Sequence, residues 1–392
     1  MDHLTRRGFV STVGATAGLT AALTTAQNTA AASTTDDPDP NVYCWGDGAE
    51  LSPARYAALL QRLTRSREVG EDTYLIDGEV AAFERKCAEL LGKERAVFMP
   101  SGTLANQLAL RALAGDGGNN HKRRVIVPET CHVFNDTGDA CQTLSQLTLL
   151  PLAPGAANYT RADVEAALAR TASGRVATNV GALMIESPVR RLYGRMADWD
   201  EVQRICAFAR ERGIGTHLDG ARLFIAAAYT GISPKTYAAP FDTVYVSLWK
   251  CFNSGIGAVL AGPKRLLDSM HHTRRMFGGN LWNGWPAALV AGHYLDGYLD
   301  RLRAGIAVSE AVFRVLSTNP RIAIERTPSG TNVTRMTLRG VDPAAVIRGL
   351  EERGVRMSKP SDKGEVTVNA NETWARKPAA EIAKAFEEAV AS

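Results

Sequence analysis

The sequence predicts an α/β fold, a mainly parallel central sheet covered by helices, with a small α+β domain at its C-terminal end. Three observations predict it. From about residue 55 to 265, segments of helical periodicity alternate with short apolar strands, as happens where crossover helices cover a parallel sheet. A long helical region, 285 to about 315, comes next. Beyond residue 316, strands at 332–338 and 365–368 interleave with helical segments at 343–353 and 378–390, which sets this stretch apart as a smaller domain.

Each element has a local reason. Residues 80–91 place Val80, Phe83, Cys87, Leu90 and Leu91 on one helical face. Residues 96–99 form a short apolar strand and 104–114 a helix. The apolar runs 124–127, 181–185 and 215–218 have strand length, with helices expected at 163–170 and 198–212 between them. The run 242–250 is β-rich and is expected to close at Lys250, ahead of a glycine-broken stretch ending at Gly257. On such sheets ligands gather beyond the carboxyl ends of strands.

The first 32 residues read as an address label. Adjacent Arg6 and Arg7 precede a mildly apolar stretch, and Ala30-Ala31-Ala32 offers the small residues of a cleavage site. This is the pattern of a twin-arginine signal, which implies export to the periplasm or beyond and leaves no membrane anchor. The run is too short and too polar for a membrane-spanning helix. Residues 33–54 read as linker and N-terminal arm, 55–315 as the large domain and 316–392 as the small one. Removing Arg6, Arg7 and Asp2 from 45 basic and 41 acidic residues leaves a net charge of +3. That balance gives no argument for nucleic acid or a membrane surface. The six cysteines show no Cys-x-x-Cys pair and no metal-ligand spacing, and free, buried thiols are expected.

Four features carry chemistry. Pro100-Ser101-Gly102-Thr103 lies between a strand and a helix, where backbone N–H groups and two hydroxyls can grip a phosphate. His132 follows the strand at 124–127. Asp219 and Arg222 close the strand at 215–218. Lys250 ends the next one. Taken singly each has a plainer reading: a helix N-cap for Ser101, a structural histidine, a strand-end ion pair, a surface lysine. Their joint order is more specific. A lysine and an aspartate at the ends of successive strands suit pyridoxal phosphate, whose aldehyde condenses with the amine while the carboxylate keeps the ring nitrogen protonated.

With these motifs the chain resembles the threonine aldolase and β-eliminating lyase group of fold-type I pyridoxal phosphate enzymes. The resemblance covers about residues 69–281. It rests on Val69-Gly-Glu-Asp-Thr-Tyr74, Phe98-Met-Pro-Ser-Gly-Thr-Leu-Ala-Asn-Gln107, Cys131-His-Val-Phe-Asn135, His217-Leu-Asp-Gly-Ala-Arg-Leu-Phe224 and Arg274-Arg-Met-Phe-Gly-Gly279. It implies that Ser101, Gly102 and Thr103 hold the phosphate, His132 stacks on the ring, Asp219 pairs with the ring nitrogen and Lys250 binds the aldehyde. Arg222 would bind the carboxylate of a small amino acid substrate. It also implies a homodimer or homotetramer with active sites at the interface.

The departures from the family pattern cluster around substrate. Trp249 and Cys251 flank the lysine where the family has serine and glycine. The family's Arg-Ser-Asp is Trp45-Gly46-Asp47, its Glu-Asn-Thr-His is Glu186-Ser187-Pro188-Val189, and Trp282 stands where an arginine is expected. Carboxylate-binding groups are lost, and a charged hydrogen bond is worth a few kcal/mol. Arg190 and Arg191, just past a strand end, are candidate substitutes; the plainer reading is a solvated basic pair. The expectation is a lyase that cleaves the Cα–Cβ bond of a β-hydroxy amino acid other than free threonine, with His132 or a water it positions as base. β-Elimination through Lys250, or a non-catalytic exported binding protein, are the alternatives.

Overall fold

Strands and helices alternate from residue 95 onward in the computed structural model, which describes residues 39–115 and 122–391. The twin-arginine stretch lies outside the described residues. Twelve strands are present among them. β1 is Val42–Tyr43, β2 Arg95–Met99, β3 Arg124–Pro128, β4 Thr148–Leu152, β5 Val180–Glu186 and β6 Gly215–Asp219. β7 is Thr243–Ser247, β8 Ala258–Gly262, β9 Ile322–Arg326, β10 Val333–Leu338, β11 Val355–Arg356 and β12 Glu365–Asn369.

Seven of them form the central sheet in the order β2-β8-β7-β6-β5-β3-β4. β7, β6, β5, β3 and β4 run parallel, and β8 alone is reversed, antiparallel to both β7 and β2. β2 therefore points the same way as the parallel set. β5 and β7 are buried along their whole length, as expected of strands covered on both faces. The direction of β2 has a functional consequence. Residues following β2, β3, β5, β6 and β7 all emerge at one end of the sheet.

The sequence reading placed no strand at β4 or β8. β4 contains Pro151 and leaves its residues partly exposed at the sheet edge, where proline is tolerated. β8 follows directly on a glycine-broken loop that obscures its start. The strand expected to end at Lys250 stops at Ser247, and Leu248–Cys251 is a helical turn. The long helical region divides into Trp285–Leu295 and Tyr298–Leu316. In the helix Gly78–Leu91, Val80, Phe83, Cys87 and Leu91 are buried, whereas Leu90 is exposed. Val80, Cys87 and Leu91 centre the buried face, and Leu90 lies at its edge, beyond Phe83.

β12, β10 and β9 form a three-stranded antiparallel sheet. It packs with helices Pro343–Glu352 and Ala379–Ala391 around Val312, Phe313, Met336, Trp374 and Phe386. Val42 and Cys44 belong to this same core, because β1 pairs in parallel with β11. The segment read as an arm is thus anchored in the C-terminal core, and the chain leaving it runs into the large core. The helix Tyr298–Leu316 contributes Tyr298 and Leu302 to the large core and Val312, Phe313 and Leu316 to the small one. No helix among the described residues is long and apolar enough to cross a membrane.

Candidate active site

The helix Gly102–Ala114 begins directly after β2 and Pro100-Ser101. Its first N–H groups have no intrahelical partners, and they face the sheet end where the other strands finish. Ser101 caps the helix: its Oγ accepts from the Leu104 N–H at 3.3 Å. The plainer reading of that hydroxyl, a helix N-cap, is present, and the backbone N–H groups of Gly102 and Thr103 are the donors that a phosphate at this turn would meet. Gly102 cannot be replaced without movement, since a Cβ there would lie 1.9 Å from the Tyr245 hydroxyl. Beside that tyrosine the Ser247 hydroxyl is buried with no hydrogen bond of sound geometry. A phosphate at the turn would supply acceptors for these unused donors.

Asp219 ends β6 and is almost fully buried. Asn106, on the face of the helix turned to the sheet, donates to its Oδ2 at 2.7 Å, and the Ala221 N–H donates to Oδ1 at 3.2 Å. Lys250 lies on the turn just beyond β7, the neighbouring strand. Among the described residues its amine makes no hydrogen bond and no ion pair; it lies 5.4 Å from the centroid of the Trp249 ring. Burial lowers the Lys250 pKa, and the Arg222 charge lowers it further. Asp219, Asp47 and Glu186 act in the opposite sense. The amine thus lies within the field of Arg222, Asp219, Asp47 and Glu186.

Arg222 follows Asp219 by three residues. Its Nε donates to Asp47 Oδ2 at 2.7 Å, and Asn332 Nδ2 donates to Asp47 Oδ1 at 3.1 Å. The arm carries Asp47 here because Gly48 is pressed against the lysine segment. A Cβ on Gly48 would lie 2.5 Å from Asn253 Oδ1 and 2.9 Å from the Lys250 carbonyl. Burial is the largest influence on Arg222 and opposes its charge, but Asp47, Cys251 and Glu186 together outweigh it and hold the guanidinium pKa above its usual value. The Nη groups make no hydrogen bond among the described residues and remain available to a substrate carboxylate.

His132 begins a short helical turn after β3. Its backbone N–H donates to Glu186 Oε2 at 2.5 Å, and Nδ1 lies 3.3 Å from Asp136 Oδ2. Asp136 also accepts from Arg190 Nη2 at 2.8 Å and Arg191 Nη2 at 2.5 Å. Partial burial would raise the Asp136 pKa, yet the two guanidinium groups and His132 hold it down at about 2. Arg190, read from sequence as a candidate substitute carboxylate binder, is half exposed and paired with Asp136, the carboxylate that also holds His132. Glu186, the last residue of β5, is buried beside Asp219, and burial followed by that neighbouring charge pushes its pKa up.

Trp249 and Trp282, which stand where the family has serine and arginine, are 53 % and 62 % exposed. Trp282 packs edge-on against Tyr74 at 5.0 Å. All six cysteines are buried and free. A separate groove of about 430 Å³ between helices contains none of the site residues, and its charges are already matched as Arg67–Glu79 and Lys86–Asp296. Sequence reasoning did not single out Asn106, Asp47, Asp136 or Glu186 as site residues. Asn106 lay inside the quoted Ser-Gly-Thr run, and Asp47 and Glu186 lay inside quoted family motifs whose departures at neighbouring positions drew the attention; nothing local ties the arm carrying Asp47 to the sheet.

The residues present fit pyridoxal phosphate: a donor-rich turn for the phosphate, a buried carboxylate for the ring nitrogen, and an unpaired lysine amine for the aldehyde. The fold is that of the fold-type I pyridoxal phosphate enzymes. The chain belongs to the family described as Beta-eliminating lyase, whose model matches residues 56–369. It is 32 % identical to the low-specificity L-threonine aldolase of Candida albicans over 59 % of this chain and 61 % of that one. It is 27 % identical to the alanine racemase TOXG of Cochliobolus carbonum, over 76 % of this chain and 73 % of that one. The provisional L-allo-threonine aldolase of Listeria monocytogenes EGD-E superposes with a TM-score of 0.72 at 25 % identity, covering 93 % of this chain and 99 % of that one.

Proposed function

We propose that this chain is a carbon–carbon lyase that cleaves a β-hydroxy amino acid to glycine and an aldehyde. The observation that carries the proposal is the convergence of Lys250, Asp219, His132 and Arg222 at one end of the sheet, with an imidazole backed by a carboxylate. Pyridoxal phosphate bound there supplies a sink for the electron pair left on Cα when the Cα–Cβ bond breaks. Arg222 holds the substrate carboxylate through its free Nη groups. His132, oriented by Asp136, takes the proton of the β-hydroxyl. Asp136 remains an anion throughout and stabilises the imidazolium that results. Lys250, made less basic by burial and by Arg222, can release its proton and act as the amine that the cofactor and substrate exchange. Asp219 stays opposite as the fixed counter-charge.

The relatives include a racemase as well as aldolases, so membership of the family does not choose the reaction. The missing carboxylate and hydroxyl contacts support a substrate other than free threonine, and exposed Trp249 beside Lys250 supports a bulkier, more apolar one. A panel of β-hydroxy amino acids, followed by product analysis, tests this. Glycine plus aldehyde, with phenylserine-like substrates preferred over threonine, is the expected result. Pyruvate and ammonia would make the chain a β-eliminating lyase, and comparable turnover of threonine would overturn the substrate assignment. We further propose export by the twin-arginine route and assembly as a homodimer or homotetramer.

A further inference from the structure

Beneath Asp219 runs a chain of buried hydrogen bonds that bond cleavage itself does not use. His217 is fully buried, with Nδ1 2.8 Å from Thr243 Oγ1 and Nε2 2.8 Å from Asn106 Oδ1. Asn106, equally buried, donates from Nδ2 to Asp219 Oδ2 at 2.7 Å. The backbone builds this arrangement. His217 and Asp219 are two residues apart on β6 and share a face of the sheet, Thr243 is the register partner of His217 on β7, and Asn106 reaches down from the overlying helix.

Chemistry fixes the hydrogens. A carboxylate only accepts, so the Asn106 amide turns its NH2 to Asp219 and its oxygen to His217. That oxygen also only accepts, so Nε2 of His217 carries a hydrogen. Burial holds the imidazole neutral, its pKa pushed down to about 4, and Nδ1 is left as a lone pair for the Thr243 hydroxyl. Every hydrogen in the chain points towards Asp219. A buried polar chain of this kind is costly to leave half-satisfied, and simple packing beneath the strand would be served by apolar residues.

We propose that His217 and Asn106 are positioning residues: they orient the Asp219 carboxylate and hold it as an anion towards the ring nitrogen of the cofactor. The inference rests on the cofactor site and is independent of which bond the enzyme breaks. Its failure is therefore distinguishable from failure of the aldolase reading.

The test compares His217→Phe, Asn106→Leu and His217→Gln. Pyridoxal phosphate is titrated into each apoprotein, and kcat and KM are measured separately. The Phe and Leu variants should lose on the order of tenfold in cofactor affinity, with kcat falling and KM for the amino acid unchanged. Gln, whose amide can donate where Nε2 did, should restore most of the affinity. Unchanged cofactor affinity in a folded Phe variant, or a Gln variant as defective as Phe, would overturn the proposal. Should the Phe variant not fold, side-chain ¹⁵N spectra of the unaltered protein decide. A neutral His217 with hydrogen on Nε2 is expected; an Nδ1–H tautomer or an imidazolium at pH 7 would sink the relay.

Discussion

Gly102 and Asp136 show how much of the site is set by single residues. At Gly102 the constraint is space: the Tyr245 hydroxyl occupies the position a Cβ would take. Gly102→Ala should destabilise the fold by roughly 1–3 kcal/mol through overpacking and weaken cofactor affinity further, as phosphate titration of the apoprotein and cofactor binding together would show. Unchanged cofactor affinity would mean the turn does not hold the phosphate. At Asp136 the constraint is charge. Its folded pKa of about 2 lies below its ordinary value of 3.8, so its contribution is fully present above pH 4 and is lost as pH falls through about 2. Screening at its rim position reduces that contribution to roughly 1–2 kcal/mol. Asp136→Asn should therefore unfold at lower urea than the parent at pH 6, and the gap should close by pH 2. A gap that persists at pH 2 would assign the loss to packing rather than to the two arginines.

Elements are held in register by buried carboxylates that the hydrophobic pattern does not reveal. Asp72, 1 % exposed, accepts from the N–H groups of Leu75, Gly284 and Trp285 at 2.7 to 3.0 Å. It thereby caps the helix Trp285–Leu295 from a loop more than two hundred residues earlier. Asp72→Ala leaves three donors unsatisfied and should cost roughly 3 kcal/mol or more, read as a fall in the urea midpoint; Asp72→Asn, which keeps one acceptor, should cost less. Equal losses would count against the cap. Glu84, on the helix Gly78–Leu91, accepts from the Phe98 N–H of β2 at 2.7 Å. Burial raises its pKa to about 7. A raised acid pKa works in the opposite sense to Asp136: folding favours the protonated form, and stability declines as pH rises from 4.5 through 7. Glu84→Gln keeps the acceptor and removes the charge, so it should become the more stable protein above pH 7 but not at pH 4.5, in paired urea titrations. The sequence made the strands and helices around these anchors legible through period two and period 3.6. The anchors themselves were not legible, because each joins segments far apart in the chain.

Across the whole molecule, the site draws on five strand ends, the N-terminal arm and the C-terminal domain. Four of its chemical residues, Gly102, His132, Asp219 and Lys250, were legible because each sits beside a strand whose apolar run announces it. Arg222 was legible too, but its pairing with Asp47, which Asn332 in turn holds, was not, since those residues come from segments far from it in the chain. The pairing of Arg190 with Asp136 was not legible either: its proximity to the end of β5 said nothing about a carboxylate beyond the neighbouring strand β3. The exposed rings of Tyr74, Trp249 and Trp282 form apolar surface on segments next to the site, as an interface between copies would require. Sedimentation of the purified protein should give a dimer or tetramer, and Trp282→Glu should shift it towards monomer; a parent that is monomeric throughout would contradict this assembly.

All of these relationships converge on the Lys250 amine, unpaired and within the field of Asp219. The most direct measurement is to load the protein with pyridoxal phosphate, reduce it with borohydride, digest it and locate the phosphopyridoxyl group by mass spectrometry. The account predicts a single modified residue, Lys250, and no modification in Lys250→Ala. A label on another lysine, or none in a protein shown to be folded, would contradict it.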